Sequence, residues 1–282
     1  MGLSYLENQG VYMQSPQVTI LIPNYKTEQL TKLCLRLLRK HTDPQLAKML
    51  VIDNDSRDES VKYLRTLKWI QLIERTAIPG ETPALSHSRA LDLALAHVDT
   101  PYVLSIHTDT LVRNKEWLPF LLAQIQANQN IAGVGSWKLE RKPAWKHALK
   151  SIERFIQQHY YRLIHKNDHA LEGLDHNHYY LRSHCALYRM DLIKKYHSGF
   201  ADGEEVAGKA MHRKLVENGH RMIFLPSEKL LKYMDHINHA TTILNPTLSR
   251  KEKSVIKGLK RVQKSLQEFQ ADEILQDASL DY

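Results

Sequence analysis

The chain has 282 residues, with 39 Lys+Arg against 31 Asp+Glu, a formal balance of +8. Apolar residues make up 43% and charged residues 25%, a globular mixture that excludes a disordered or fibrous chain. No window approaches the ~18 apolar residues of a membrane span, and no early run reads as a secretory signal. Two cysteines, Cys34 and Cys185, exclude a disulfide framework, lack metal-site spacing and point to a reducing, cytoplasmic compartment.

Residues 1–16 are polar and end at Pro16, which predicts a loose leader. Val18–Ile22 is a β-branched run stopped by Pro23-Asn24, and Leu30, Leu33, Cys34, Leu37 and Leu38 then share one helical face. Met49–Ile52 predicts a second strand, ending in the acidic turn Asp53-Asn54-Asp55-Ser56. A helix over Ser60–Leu67, a strand over Trp69–Ile73 and a breaker-dense loop over Ala77–Pro83 follow. Ala84–His97 predicts a helix, Tyr102–Ile106 a strand, Lys115–Asn128 a helix and Ile131–Ser136 a strand. Strands alternating with helices over this length predict a largely parallel sheet covered on both faces. Ligands in such sheets sit outside the carboxyl ends of the strands, where Asp53, Asp55 and Asp109 all fall.

The second half is less regular. A basic helix is predicted within 137–170, a strand at Cys185–Arg189, a helix over Glu205–Asn218 closed by Gly219, and a strand over Met222–Leu225. Beyond Pro246 the chain reads as a helical tail. Two common phosphate devices are missing, the G-x-x-x-x-G-K-[ST] loop and a G-x-G-x-x-G after the first strand. An α/β protein that binds a nucleotide without them needs another counter-charge, and carboxylates holding a divalent cation supply one.

Six segments, in order, carry a resemblance. Val18-Thr-Ile-Leu-Ile-Pro-Asn-Tyr25 resembles the opening strand of family 2 glycosyltransferases, and Val51–Ser60 is similar to their V-D-N-G-S-x-D-x-S turn. Ser86–Leu95 resembles the helix before their metal motif, and Tyr102–Thr110 occupies the place of the strand ending in D-x-D. Cys185–Ile193 with Gly199-Phe200 looks like the strand before the acceptor region, and Gly203-Glu204-Glu205 falls where the family carries its acidic pair. The resemblance runs from about Gln17 to Ile243.

It implies a GT-A fold, a mostly parallel Rossmann-like sheet with helices on both faces, plus a helical C-terminal tail. Its domain would span 17–245, with a nucleotide-sugar half at 17–136 and an acceptor half at 137–245, followed by the tail at 246–282. The implied reaction is inverting transfer of a sugar from a nucleotide donor, UDP by default, to a hydroxyl of a glycan or lipid-linked acceptor. Mn²⁺ or Mg²⁺ would sit on the diphosphate, with Asp109 and His236 as ligands. Pro23, Asn24, Tyr25, Asp53, Asp55, Arg89, His107 and Thr108 would bind the nucleotide, Asp53 by accepting a hydrogen bond from a base imide or ribose hydroxyl. Either Glu204 or Glu205 would be the general base. His184 and Arg182 flank the predicted strand at Cys185 and would reach the donor phosphates.

Four departures stand out. His107 replaces the first Asp of D-x-D, removing one negative charge. The acidic pair lies two or three residues further from Gly219 than the family spacing E-D-x-D-L-x-x-R-L would place it. His236 is an addition, following the strand Met222–Leu225. Asp55 stands where the family usually has glycine.

Residues 249–266 are rich in Lys and Arg, and Val255, Leu259, Val262, Leu266 and Phe269 form one apolar stripe. Such a helix over 249–269 either docks on its own domain or lies on an anionic membrane, as would suit a lipid-linked acceptor at an inner membrane face. Nucleic acid is not an expected partner, because the basic helices carry few interleaved aromatics and no recognised motif. A nucleotidyltransferase and a degenerate, non-catalytic sugar-nucleotide binder are the competing readings.

Overall fold

The computed structural model describes residues 15–139, 178–237 and 262–282. Almost all of the leader, most of the basic segment 137–170 and the basic run 249–261 lie outside these residues.

The first half is built as its patterning predicts: β1 (Val18–Asn24), α1 (Glu28–His41), β2 (Ala47–Asn54), α2 (Glu59–Thr66), β3 (Ile70–Arg75), α3 (Pro83–Leu95) and β4 (Tyr102–Ile106). Then come β5 (Thr110–Val112), α4 (Trp117–Gln126), β6 (Ile131–Gly135), β7 (Cys185–Arg189) and α5 (Met190–Lys195). A 3-10 turn at Asp202–Glu204 precedes α6 (Lys209–Glu217), β8 (Arg221–Phe224), α7 (Ser227–Leu230), β9 (Met234–His236) and α8 (Ala271–Gln276).

Seven strands form one sheet in the order β3-β2-β1-β4-β7-β6-β8. The pairs β3–β2, β2–β1, β1–β4 and β6–β8 are parallel, whereas β7 runs antiparallel to both β4 and β6. Alternation along the strands explains the two cores. Val18, Ile20, Ile22, Met49 and Val51 face one cluster with α1, α2 and α4, while Leu21, Leu50 and Ile52 face the other with α3, α5 and α6. Burying both faces is why these strands read as continuous apolar runs.

The C-terminal residues belong to the first core and are not an appendage. Val262, Phe269, Ala271 and Ile274 are buried in it, and Leu266 packs against it. Arg36, 2% exposed, ties them down: its Nε and Nη2 donate to both carboxylate oxygens of Asp281, and its Nη1 to the carbonyls of Ile274 and Leu275. The described part of the 249–269 stripe, at Val262, Leu266 and Phe269, therefore faces the protein's own core. Among the described residues no helix is long and apolar enough to cross a membrane.

One predicted boundary is corrected. The helix expected from Glu205 begins at Lys209, after a turn in which Gly203 (φ 67°) and Glu204 (φ 53°) are both left-handed. Asp92 of α3 holds this turn, its carboxylate accepting from the amides of Phe200 and Ala201 at 2.5 and 2.9 Å. A Cβ on Gly199 would stand 2.7 Å from Asp92 Oδ1, so the clasp requires glycine there. Glu204 and Glu205 thus sit on a braced turn and not in the first turn of a helix.

Candidate active site

The carboxyl ends of β1, β2 and β4 open on one cleft of about 930 Å³, a volume suited to a small organic ligand. Pro23, Asn24, Tyr25, Asp55, His107, Thr108 and Asp109 line it, together with Lys26, Asn54, Ser56 and the loop that carries Glu81.

Below its floor lies a polar clasp. Asn24 and Asp53 are register partners on adjacent parallel strands. Asn24 Nδ2 lies 2.8 Å from Asp53 Oδ1, 3.1 Å from Ser56 Oγ and 2.9 Å from Ser60 Oγ, while Thr31 Oγ1 donates to Asn24 Oδ1 at 2.6 Å. Asp53 Oδ2 accepts from the Ser56 amide at 3.1 Å. Asp53 is 4% exposed with both oxygens engaged, so the expectation that it reads a base or ribose is corrected. It braces the loop that forms the wall.

That loop is conformationally costly. Lys26 (φ 49°), Asp55 (φ 64°) and Arg57 (φ 53°) all adopt left-handed backbone, which L-residues disfavour. Asp55 thereby occupies the glycine position of the family turn with glycine's conformation. Its carboxylate accepts from Arg57 Nε at 2.7 Å, an exposed pair of little net worth. Asp55→Gly is therefore expected to raise stability by about 1 kcal/mol, a few degrees in Tm, read by thermal unfolding. A fall in Tm would show that the Arg57 pair outweighs the strain.

Glu81 anchors the opposite wall. It accepts from Arg75 Nη2 at 2.5 and 2.7 Å and from Arg89 Nη1 at 2.9 Å, with its side chain 3% exposed. Arg75 also donates to Asn54 Oδ1 at 2.7 Å, and Arg89 Nη2 lies 3.6 Å from Glu204. The hydrogen bonds from Arg75, followed by those from Arg89, hold the Glu81 carboxyl down to about 2 against its burial. A depressed carboxylate stabilises the fold above its unfolded value and loses that contribution as pH falls through the folded one. The parent should therefore lose stability between about pH 4.5 and 2 more steeply than Glu81→Gln in urea unfolding. Equal slopes would show that this ion cluster does not govern acid stability.

At the end of β4 four histidines gather around Asp109. His236 reaches it because β9 pairs antiparallel with β5, with Thr110 opposite His236, and the Ile237 amide donates to the Asp109 carbonyl at 2.8 Å. Asp109 Oδ1 lies 3.2 Å from His236 Nε2 and 3.8 Å from His107 Nδ1. His184, 4% exposed, stacks flat on His236, with ring centroids 4.3 Å apart and planes 3° from parallel. Its Nε2 lies 2.7 Å from Ser136 Oγ. Ser183 Oγ bridges His107 Nε2 at 2.9 Å and His87 Nε2 at 3.1 Å.

The electrostatics suit a cation. Burial, reinforced by neighbouring His87, holds His107 down to about 3, and burial holds His87 down to about 4. His184 is lowered for the same reason. These imidazoles are neutral, with a lone pair to offer. Burial pushes the Asp109 carboxyl up, but His236 and then His107 outweigh it, and the group stays ionised below its ordinary value. Asp109 Oδ1 is nonetheless buried without a well-formed hydrogen bond. An orphaned carboxylate oxygen facing two imidazoles fits a divalent cation. His107, Asp109 and His236 offer ligand atoms within 4.8 Å of one another.

The remaining expected residues separate. Thr108 is buried on the cleft wall, and Arg89 sits behind it on Glu81. Glu205 pairs with Arg213 at 2.9 Å and Lys209 at 3.0 Å; burial raises its carboxyl, but these cations outweigh burial and lower it. Glu204 is 76% exposed. Arg182 lies over the Trp137 ring at 4.4 Å, and His184 is packed beneath His236, so the expectation that this pair reaches donor phosphates is corrected for His184. Sequence reasoning missed His87, Ser183 and Ser136 as supports of the histidine cluster, and Arg75 and Glu81 as the second wall. No spacing links them, since β4–β7 pairing and α3 packing bring them together.

A doubly covered, mostly parallel sheet with a strand-end carboxylate beside a nucleotide-sized cleft defines a GT-A-type fold. The model of glycosyl transferase family 2 matches residues 19–197, more than half of the chain, and the protein belongs to that family. The mannosyltransferase PcManGT from Pyrobaculum calidifontis, solved with GDP-Man and Mn²⁺, is similar at 18% identity and a TM-score of 0.52, over 75% of this chain and 55% of that one. S. aureus TarS 1-349 is similar at 16% identity and a TM-score of 0.53, covering 90% of this chain and 72% of that one. Its complex with UDP-GlcNAc gives 16% identity and a TM-score of 0.52, over 77% and 57% of the two chains. At such identities the likeness is one of fold, and this chain spans just over half the length of the mannosyltransferase chain. No curated protein matches it in sequence.

Proposed function

We propose that this protein transfers a hexose, with inversion, from a nucleoside-diphosphate sugar, UDP first, to a hydroxyl of a glycan or lipid-linked acceptor. The observation that carries the reading is the His107–Asp109–His236 centre, of which His107 and Asp109 line the cleft. Structures of this fold solved with GDP-Man and Mn²⁺, or with UDP-GlcNAc, support it.

Tyr25, Lys26, Asn54 and Asp55 would hold the nucleoside against the β1 and β2 ends. Asp109, with His236 and His107, would hold Mn²⁺ or Mg²⁺, which when bound supplies charge neutralisation for the leaving diphosphate. In the reaction the acceptor oxygen bonds to the anomeric carbon from the face opposite the diphosphate. The bond from that carbon to the diphosphate oxygen breaks, and the acceptor proton passes to Glu204. Glu204 is preferred to Glu205, whose carboxylate is occupied by Lys209 and Arg213 and made less basic by them.

Thermal unfolding with UDP, GDP, dTDP and CDP, each with and without Mn²⁺, tests the reading. One nucleotide at a hundred times its Kd should add about 2.7 kcal/mol of stability, and only with metal. If no nucleotide raises the melting temperature, the transferase assignment fails.

A further inference from the structure

We propose that the His107–Asp109–His236 centre prefers nitrogen-seeking transition ions such as Co²⁺ over Mg²⁺, and that Ser183 is the positioning residue that makes His107 a ligand. The inference rests on the transferase reading in taking this centre as the cation site of the cleft.

The donor set is one carboxylate oxygen and two imidazole nitrogens. An imidazole binds a metal as a neutral ligand, so His107 brings a nitrogen and no negative charge where a D-x-D site would bring a carboxylate. Mg²⁺ is hard, demands oxygen ligands and dehydrates reluctantly. Later first-row ions bind imidazole strongly, in the order Mn²⁺, Co²⁺, Ni²⁺. Exchanging oxygen and charge for nitrogen therefore penalises Mg²⁺ most. The spacing is suitable, since ligands at ~2.0–2.2 Å from an ion stand roughly 3–4 Å apart. Asp109 Oδ1 is already 3.2 Å from His236 Nε2 and 3.8 Å from His107 Nδ1.

Orientation decides whether His107 can take part. A neutral imidazole carries one N–H, and the hydrogen bond at one nitrogen selects which nitrogen keeps the lone pair. A cation held at Nδ1 requires the N–H on Nε2, where Ser183 Oγ at 2.9 Å is placed to accept it and leave Nδ1 free toward Asp109. In this tautomer the Ser183 hydroxyl donates in turn to His87 Nε2 at 3.1 Å. The His87 ring stands edge-on to His107, with centroids 4.9 Å apart. Ser183 is 8% exposed, which keeps water out of this arrangement.

The test is calorimetric titration of the full chain with Mg²⁺, Mn²⁺ and Co²⁺, with and without UDP, alongside the visible absorption of bound Co²⁺. Co²⁺ is expected to bind about 100-fold tighter than Mg²⁺. His107→Asp should shrink that ratio at least roughly tenfold by strengthening Mg²⁺ and weakening Co²⁺. Ser183→Ala should weaken Co²⁺ by about 10–100-fold, leave Mg²⁺ unchanged and alter the Co²⁺ spectrum, and Ser183→Thr should restore both. Should His107→Asp fail to fold by circular dichroism, His107→Asn replaces it, with the expected loss of Co²⁺ affinity. An unchanged Co²⁺:Mg²⁺ ratio in a folded His107 variant overturns the proposal, as does a Co²⁺ site indifferent to Ser183→Ala. Co²⁺ preference without any nucleotide binding would support the proposal while defeating the transferase reading.

Discussion

Asp109→Asn is expected to abolish metal-dependent nucleotide stabilisation and to cut sugar transfer by about 10³-fold, roughly 4 kcal/mol of transition-state stabilisation. The carboxylate is 5% exposed, and its Oδ1 lacks a hydrogen bond of its own. Asparagine keeps the shape and removes the charge on which a cation depends. Because His236 at 3.2 Å keeps the Asp109 carboxyl ionised below its ordinary value, the charge contributes some stability, and the metal-free variant should melt at or slightly below the parent temperature. The combination is diagnostic: the fold retained, the ligand response gone. A variant that still gains stability from nucleotide plus Mn²⁺ would show that the metal ligands lie elsewhere.

Glu204→Gln is expected to lower kcat by about 10²–10⁴-fold, the range of a general base, with donor KM and nucleotide stabilisation unchanged. Gly203 and Glu204, both left-handed, turn the chain so that Glu204 projects at 76% exposure. The neighbouring carboxylate is differently employed. Glu205→Gln should mainly release Lys209 and Arg213 at the start of α6, with a small effect on rate. Steady-state kinetics on the two variants separates the roles. If Glu205→Gln loses kcat and Glu204→Gln does not, the assignment reverses.

How much of this was legible depended on the range of the forces involved. β1 to β4 follow from apolar runs closed by Pro23-Asn24, Asp53-Asn54 and His107-Thr108, because burial on both faces writes itself into composition. The helix boundary at Glu205 was misread because the break is made by Asp92, far away in sequence, clasping the amides of Phe200 and Ala201. Asp53 looked like a ligand because it ends a strand, but its register with Asn24 turns it into a brace. β5 and β9 have three residues each, too short for any period to reveal. The C-terminal stripe was readable as a helix face, yet its partner depended on Arg36 reaching Asp281.

By itself the sequence determined the doubly covered α/β sheet, the family turn and the carboxylate at the end of β4, because local periodicity and strand-end chemistry act over a few residues. Only the tertiary structure decided that β7 runs antiparallel beside β4, that β9 delivers His236 to Asp109, and that Ser183 joins His87 to His107. Those are pairings between residues as many as 127 positions apart. No local preference encodes them, and they follow from closing the two cores around the same sheet.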